Sequence, residues 1–185
     1  MTAVRWTLCG LILFSIAFIQ NSMIDRLVDK MDSPIQAIPS EILIIIKIFI
    51  FITAILYWFL ITTGFHSVSV LMNCKSRKNY TLLMQYIGMG LIVLLVAVII
   101  NHHYMDDIIR QSVNQTGSFE YKNLIQTGAF KMARFRIFLA YLLHIAWSVF
   151  SIKKIYKLGH TETAVFSSIV LFIVISVFVF RKMIH

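Results

Sequence analysis

YTLLMQYIGMGLIVLLVAVII, residues Tyr80 to Ile100, decides the fold class. Its 21 residues include no charged side chain. As a helix rising 1.5 Å per residue, it would cover roughly 31 Å, against about 30 Å for the hydrocarbon core of a bilayer. The helices of soluble domains bury one apolar stripe and keep a polar face for water. Here every face is apolar, so the surroundings must be lipid and protein.

Four further runs follow the same logic, giving expected spans at Trp6 to Ile24, Ile48 to Asn73, Tyr80 to Ile100, Phe135 to Ile152 and Thr163 to Phe180. The fourth is short and carries Arg136 near its start. Arg5 ahead of an apolar core would suit a signal peptide, but Ile19, Gln20, Asn21, Ser22 and Met23 after the core offer no small-x-small cleavage site. A retained helix is expected. The fold class is therefore all-α: a polytopic bundle of five spans forming a single membrane domain over residues 1–185.

Composition supports this class. Hydrophobic residues make up 59% of the chain and charged residues 14%, well below the roughly 25% of a soluble domain. Mean hydropathy is +0.82. The formal charge of +9 is carried by residues that flank the apolar runs, where lipid headgroups accept them, so nucleic acid is not an expected partner.

Charge placement also gives an orientation. With five spans, Arg5, Lys75, Arg77, Lys78, Lys153, Lys154 and Lys157 share one side, and every acid except Glu162 falls on the other. Short basic loops weigh most in the positive-inside rule, which places the N-terminus in the cytoplasm and the C-terminus outside. The two cysteines, Cys9 and Cys74, both fall near the cytoplasmic face, and no disulfide is expected there.

Of the loops, residues 25–41 mix acids and bases, and Pro39-Ser40 ahead of an apolar run marks a helix start. The extracytoplasmic loop, residues 101–134, is the longest. In it Tyr104, Met105, Ile108, Ile109 and Val113 recur at helical spacing against Asp106, Asp107 and Arg110. With Leu124 to Arg136, this stretch predicts amphipathic helices along the outer leaflet. The alternative for the first stretch is that the third span simply continues past the membrane.

Chemistry-bearing residues are few. His102 and Asp106 lie four apart, as do His103 and Asp107, so each pair would share a helix face and could ligate a divalent ion. A closed or catalytic zinc site needs three or four ligands. The two pairs point about 100° apart, so no metal or other cofactor is expected. His144 sits inside the fourth span, where an ionisable group calls for a partner. Ala140, His144 and Ser148 make a small-and-polar stripe suited to helix contact. Lys47, just before the second span, is expected to snorkel outward. Gly88 and Gly90 inside the third span predict close helix approach. No phosphate loop, His-Glu-x-x-His, Gly-x-Ser-x-Gly or Cys-x-x-Cys occurs, and no Asp or Glu lies inside a span.

From Ile48 onward the arrangement resembles the Yip family of five-span membrane proteins. The likeness is carried by Tyr57-Trp58-Phe59 leading to the basic loop at Lys75 to Lys78, the charge-free third span, the long loop ending in Phe135-Arg136-Ile137-Phe138, and the close final pair from His144-Ile145-Ala146-Trp147 through Lys153-Lys154. The resemblance implies five spans, a cytoplasmic N-terminus and no catalytic residue. The long N-terminal region with its Tyr-Asp-Leu-Pro signature has no counterpart before Trp6, so small-GTPase binding is not expected. The short form is similar to bacterial members of the plasma membrane. The expected function is that of a non-enzymatic accessory or scaffold in export, membrane trafficking or toxin immunity. Its partners would be the lipid bilayer, other membrane proteins or a second copy. The alternatives are a small transporter or channel, and a metal-dependent membrane enzyme using the His102-His103-Asp106-Asp107 segment.

Overall fold

A backbone in hydrocarbon must satisfy its N–H and C=O groups internally, so apolar runs of this length fold as helices. The computed structural model describes residues 2–30, 39–71, 79–116 and 125–168. The helices are α1 (Thr2–Lys30), α2 (Ser40–Leu71), α3 (Tyr80–Gly90), α4 (Ile92–His103), α5 (Met105–Thr116) and α6 (Gly128–Tyr156). A further stretch, 160–168, is also helical, and there is no strand among the described residues. Four helices are long and apolar enough to cross a membrane: α1, α2, the continuous α3–α4 pair and α6. The described residues form an all-helical bundle whose four long apolar helices are those of an integral, multi-pass membrane protein. The expected fifth span, Thr163 to Phe180, lies from residue 169 onward outside the described residues.

Contacts along the helices set the topology. Arg5 stacks on Tyr86 near one end of α1, while Ser22 meets His102 and Arg26 meets Asp106 toward the other. The first helix therefore runs parallel to α3–α4. By contrast α2 pairs Lys47 with Asp25 and Trp58 with Met84, and α6 pairs His144 with Ile87 and Ala133 with Asn101. Both run antiparallel to the first and third spans. The core between them gathers Cys9, Ile12 and Ile16 of α1, Trp58 and Phe65 of α2, Leu83, Ile87 and Leu94 of α3–α4, and Ala140 and Ile152 of α6.

Several helices extend beyond their expected spans. Charged Asp25 to Lys30, read as loop, forms the last turns of α1. Such residues leave the hydrocarbon without leaving the helix, because water or headgroups solvate them. Pro39 starts α2 as its sequence predicts, its carbonyl accepting from Ile42 N at 2.9 Å. The stretch ending at Arg136 is not a separate surface helix. It supplies the first turns of α6, capped by the Thr127 side chain accepting from Phe130 N at 3.2 Å. From Ala129 to Tyr156 there is no glycine or proline to break it.

Beyond α4, a step at Tyr104 keeps helical bonding, with Tyr104 N donating to Ile100 O and Ile108 N to Tyr104 O, both at 3.1 Å. The amphipathic α5 thus continues the third span. Its apolar stripe of Met105, Ile108 and Ile109 is buried against Ala133, Ala129 and Phe130 of α6 and Met23 and Leu27 of α1. The alternative of a continued third span describes this segment better than a helix lying free on the leaflet.

At the opposite end of the bundle α6 stops at Lys157, which adopts the left-handed conformation with φ 54°, and Leu158 N reaches back to Lys153 O at 3.2 Å. The next helical stretch begins at once: Gly159 N donates to Glu162 Oε2 at 2.8 Å and Thr163 N donates to Gly159 O at 3.0 Å. This is the reciprocal half of a capping box. Phe166, 1% exposed, packs 5.3 Å from the Phe65 ring of α2.

The glycines of the third span allow the approach their sequence predicts. A Cβ on Gly88 would lie 2.7 Å from Cys9 Sγ and 3.0 Å from the Trp58 ring. One on Gly90 would overlap the Trp147 indole. Gly64 of α2, by contrast, has open space around it. Gly90→Ala is therefore expected to destabilise the bundle by about 1–3 kcal/mol through overpacking. Gly64→Ala should be neutral or stabilise by up to about 1 kcal/mol through helix propensity. Thermal unfolding in detergent, followed by circular dichroism, checks the contrast.

Candidate functional site

The polar interior is organised around four successive carbonyl oxygens of α3. Met84 O accepts from Trp58 Nε1 of α2 at 2.9 Å. Gln85 O accepts from Cys9 Sγ of α1 at 3.4 Å. Tyr86 O and Ile87 O accept from Trp147 Nε1 at 2.8 Å and His144 Nε2 at 3.0 Å, both from α6. Three neighbouring helices are thereby bonded to one turn of α3. The local backbone favours this, because the step at Leu91 turns its N–H to Gly88 O, three residues back, at 3.2 Å. Ile87 O is left facing the imidazole.

The second nitrogen of His144 completes the assignment. Nδ1 lies 2.9 Å from Tyr57 OH of α2. A carbonyl can only accept, so Nε2 carries the proton, and in the neutral ring Nδ1 accepts from the phenol. His144 is fully buried, and the Tyr57 ring also meets Tyr141 edge-on at 5.2 Å. Ala140, His144 and Ser148 are all buried, the contact stripe expected of them. The hydroxyls of Thr62, Ser69, Ser148 and Ser151 each bond the carbonyl four residues back, leaving these side chains small and self-satisfied at helix contacts. Gln85 Oε1 is buried without a partner.

Beside the Tyr57–His144 link lies a cavity of about 490 Å³ between α1, α2, α4 and α6. Its walls are mainly apolar, including Leu13, Ile16, Leu94, Val98 and Ile137, with Gln20, Thr53 and Tyr57 as polar points. The Thr53 hydroxyl is already donated to Phe49 O of its own helix at 2.7 Å.

The other residues singled out in the sequence are drawn in different directions. Lys47 does not simply snorkel to water: its Nζ lies 2.6 Å from Asp25 Oδ1, a pair made possible by the extension of α1. His102 Nε2 sits 3.2 Å from Ser22 Oγ, while Asp106 is 3.7 Å from Arg26. His103 packs edge-on against Tyr104, and Asp107 is exposed. His102, His103 and Asp106 thus meet three different partners. Among the described residues no group of three or more His, Cys, Asp or Glu side chains converges on a point that could hold a metal.

Tyr57, Trp58, Trp147 and Cys9 were not picked out as polar partners from the sequence. The signal available was only that buried Trp and Tyr seek acceptors.

The geometry ranks two substitutions. His144→Leu removes a donor and an acceptor and strands Ile87 O and the Tyr57 hydroxyl, at an expected cost of about 1–3 kcal/mol. His144→Gln keeps both hydrogen-bonding functions and should cost less than half as much. Thermal unfolding in detergent distinguishes them, and equal losses would contradict the bonded arrangement. Searches against protein-family profiles, curated proteins and solved structures found no match to the chain.

Proposed function

We propose that the chain is a five-span membrane protein of the Yip type, N-terminus in the cytoplasm and C-terminus outside, that acts without catalysis as an accessory or scaffold. Its work is contact with other membrane proteins, or with copies of itself, in a bacterial plasma membrane. The observation that supports this most is the use made of the reactive groups. The Cys9 thiol, the Tyr57 phenol and the His144 imidazole each spend their polar atoms on bonds between helices. Such groups hold a frame together instead of meeting a substrate.

Outside that frame, α2 offers Ile45, Phe49, Leu56 and Leu60, each half exposed or more. In this reading α2 is the contact helix. The turn at Lys157 to Glu162 sends the next stretch back along α2, which suits a fifth span. The Asn101 to Arg134 region then faces outward, with α5 at the outer headgroup zone.

The cavity favours a second reading, a small transporter for an apolar or amphiphilic solute. A photoreactive side chain at Ile45 or Leu60, illuminated in native membranes, separates the two. Discrete protein adducts or a covalent dimer support the scaffold; adducts to lipid alone at every α2 position sink it. Orientation has its own check. A membrane-impermeant maleimide should label a cysteine placed at Ser118 in intact cells, and reach Cys74 only after permeabilisation. The reverse pattern overturns the assignment of sides.

A further inference from the structure

Two cations from different helices converge on one aromatic ring. Arg5 of α1 lies 5.2 Å from the centroid of Tyr86, and Lys154 of α6 lies 5.6 Å from the same centroid. Tyr86 faces out from α3 between these two helices and is half-buried, as is Arg5, while Lys154 is exposed. Among the described residues no carboxylate pairs with either cation, since the ion pairs there join Arg26 to Asp106 and Lys47 to Asp25. The nearest acid in sequence, Glu162, is bonded to Gly159 N. The ring quadrupole attracts each cation but leaves their mutual repulsion in place. An anion in the cleft would offset it.

Next to the cations the surface is apolar. Leu8 of α1 and Phe150 of α6 are exposed beside them, and Val96 of α4 is exposed farther along the third span. A basic point at the headgroup level above an apolar surface matches an amphiphilic anion, and basic clefts between transmembrane helices are places where anionic lipids bind.

We propose that Arg5, Lys154 and Tyr86 form the headgroup site for an anionic phospholipid. Its phosphodiester is held by the two cations, and its acyl chains lie against the apolar surface of α4 and α6. The site does not depend on the scaffold reading and would serve a transporter equally.

The test uses intrinsic fluorescence. All three tryptophans lie around the same turns of α3: Trp6 meets Trp58 edge-on, and Trp58 and Trp147 bond its carbonyls. The full chain is reconstituted in phosphatidylcholine vesicles holding a minor fraction of acyl-brominated lipid. Brominated phosphatidylglycerol should quench the wild type more strongly than brominated phosphatidylcholine at the same fraction. Arg5→Gln and Lys154→Gln should each lower that preference about fivefold, the effect of one cation near an anionic surface. The Lys131→Gln/Arg134→Gln pair, at the opposite end of α6, should leave it unchanged.

Equal quenching by the two lipids in the wild type overturns the proposal. So does a preference that survives both substitutions, or one lost equally in the Lys131/Arg134 control. Displacement by millimolar inorganic phosphate would make the ligand a free anion and overturn a lipid as occupant. Native mass spectrometry of the wild type, with phosphatidylglycerol and phosphatidylcholine in competition, reads the same preference if a variant does not fold.

Discussion

One turn of α3 carries the bundle. Apolar side chains give little selectivity between helices in a bilayer, since lipid tails are as apolar as leucine, so polar bonds and close packing must define which helices meet. Met84, Gln85, Tyr86 and Ile87 supply four acceptors, and Trp58, Cys9, Trp147 and His144 the four donors. Each bond is worth only about 0.6 kcal/mol on average in such a setting. Together they fix rotation as well as proximity, because successive carbonyls all run along the axis while the donors approach from different sides. Gly88 and Gly90 make this approach possible by removing side chains where Cys9, Trp58 and Trp147 must sit.

The Tyr57–His144 link joins α2 and α6, which otherwise pack on each other sparingly. With its proton on Nε2, the imidazole passes a single directed chain from the α2 phenol through α6 to the α3 backbone. The other tautomer would present the Nε2 lone pair to a carbonyl, so the proton has one position. Farther along, α2 and α6 line opposite walls of the cavity, Phe49, Ile50 and Thr53 on one and Ile137 and Tyr141 on the other. The fixed link borders the open space, since Tyr57 belongs to both.

Much of this was legible in the sequence. Hydropathy located the four spanning helices, Pro39-Ser40 located the start of α2, and the Ala140-His144-Ser148 stripe and the paired glycines identified contact faces. What hydropathy measures is the free energy of transfer from water, and this is blind to pairing. Asp25 to Lys30 were therefore read as loop, although a helix outside hydrocarbon tolerates charge and here uses Asp25 and Arg26 to reach Lys47 and Asp106. Each of those partly exposed pairs contributes under about 1 kcal/mol, so they adorn the extension of α1 without causing it. The roles of Trp58 and Trp147 were hidden for a related reason. An indole in an apolar run reads as belt or core, and only the fold reveals which carbonyl lies within reach. Glu162 likewise looked like a stray acid, yet its partner is a backbone amide three residues away.

The row of carbonyls also has a history in time. Ribosomes deliver the chain from the N-terminus, so the thiol of Cys9 and the indole of Trp58 are already in the bilayer when residues 84–87 arrive. Trp147 and His144 are not yet made. The first three helices can associate as soon as the third emerges, but Tyr86 and Ile87 must wait for some sixty more residues before their donors exist. Until then a half-built bundle holds Tyr57 without its imidazole and leaves one flank of α3 to lipid or to an insertion chaperone. Completion of α6 is thus the event that turns a loose set of inserted helices into one body.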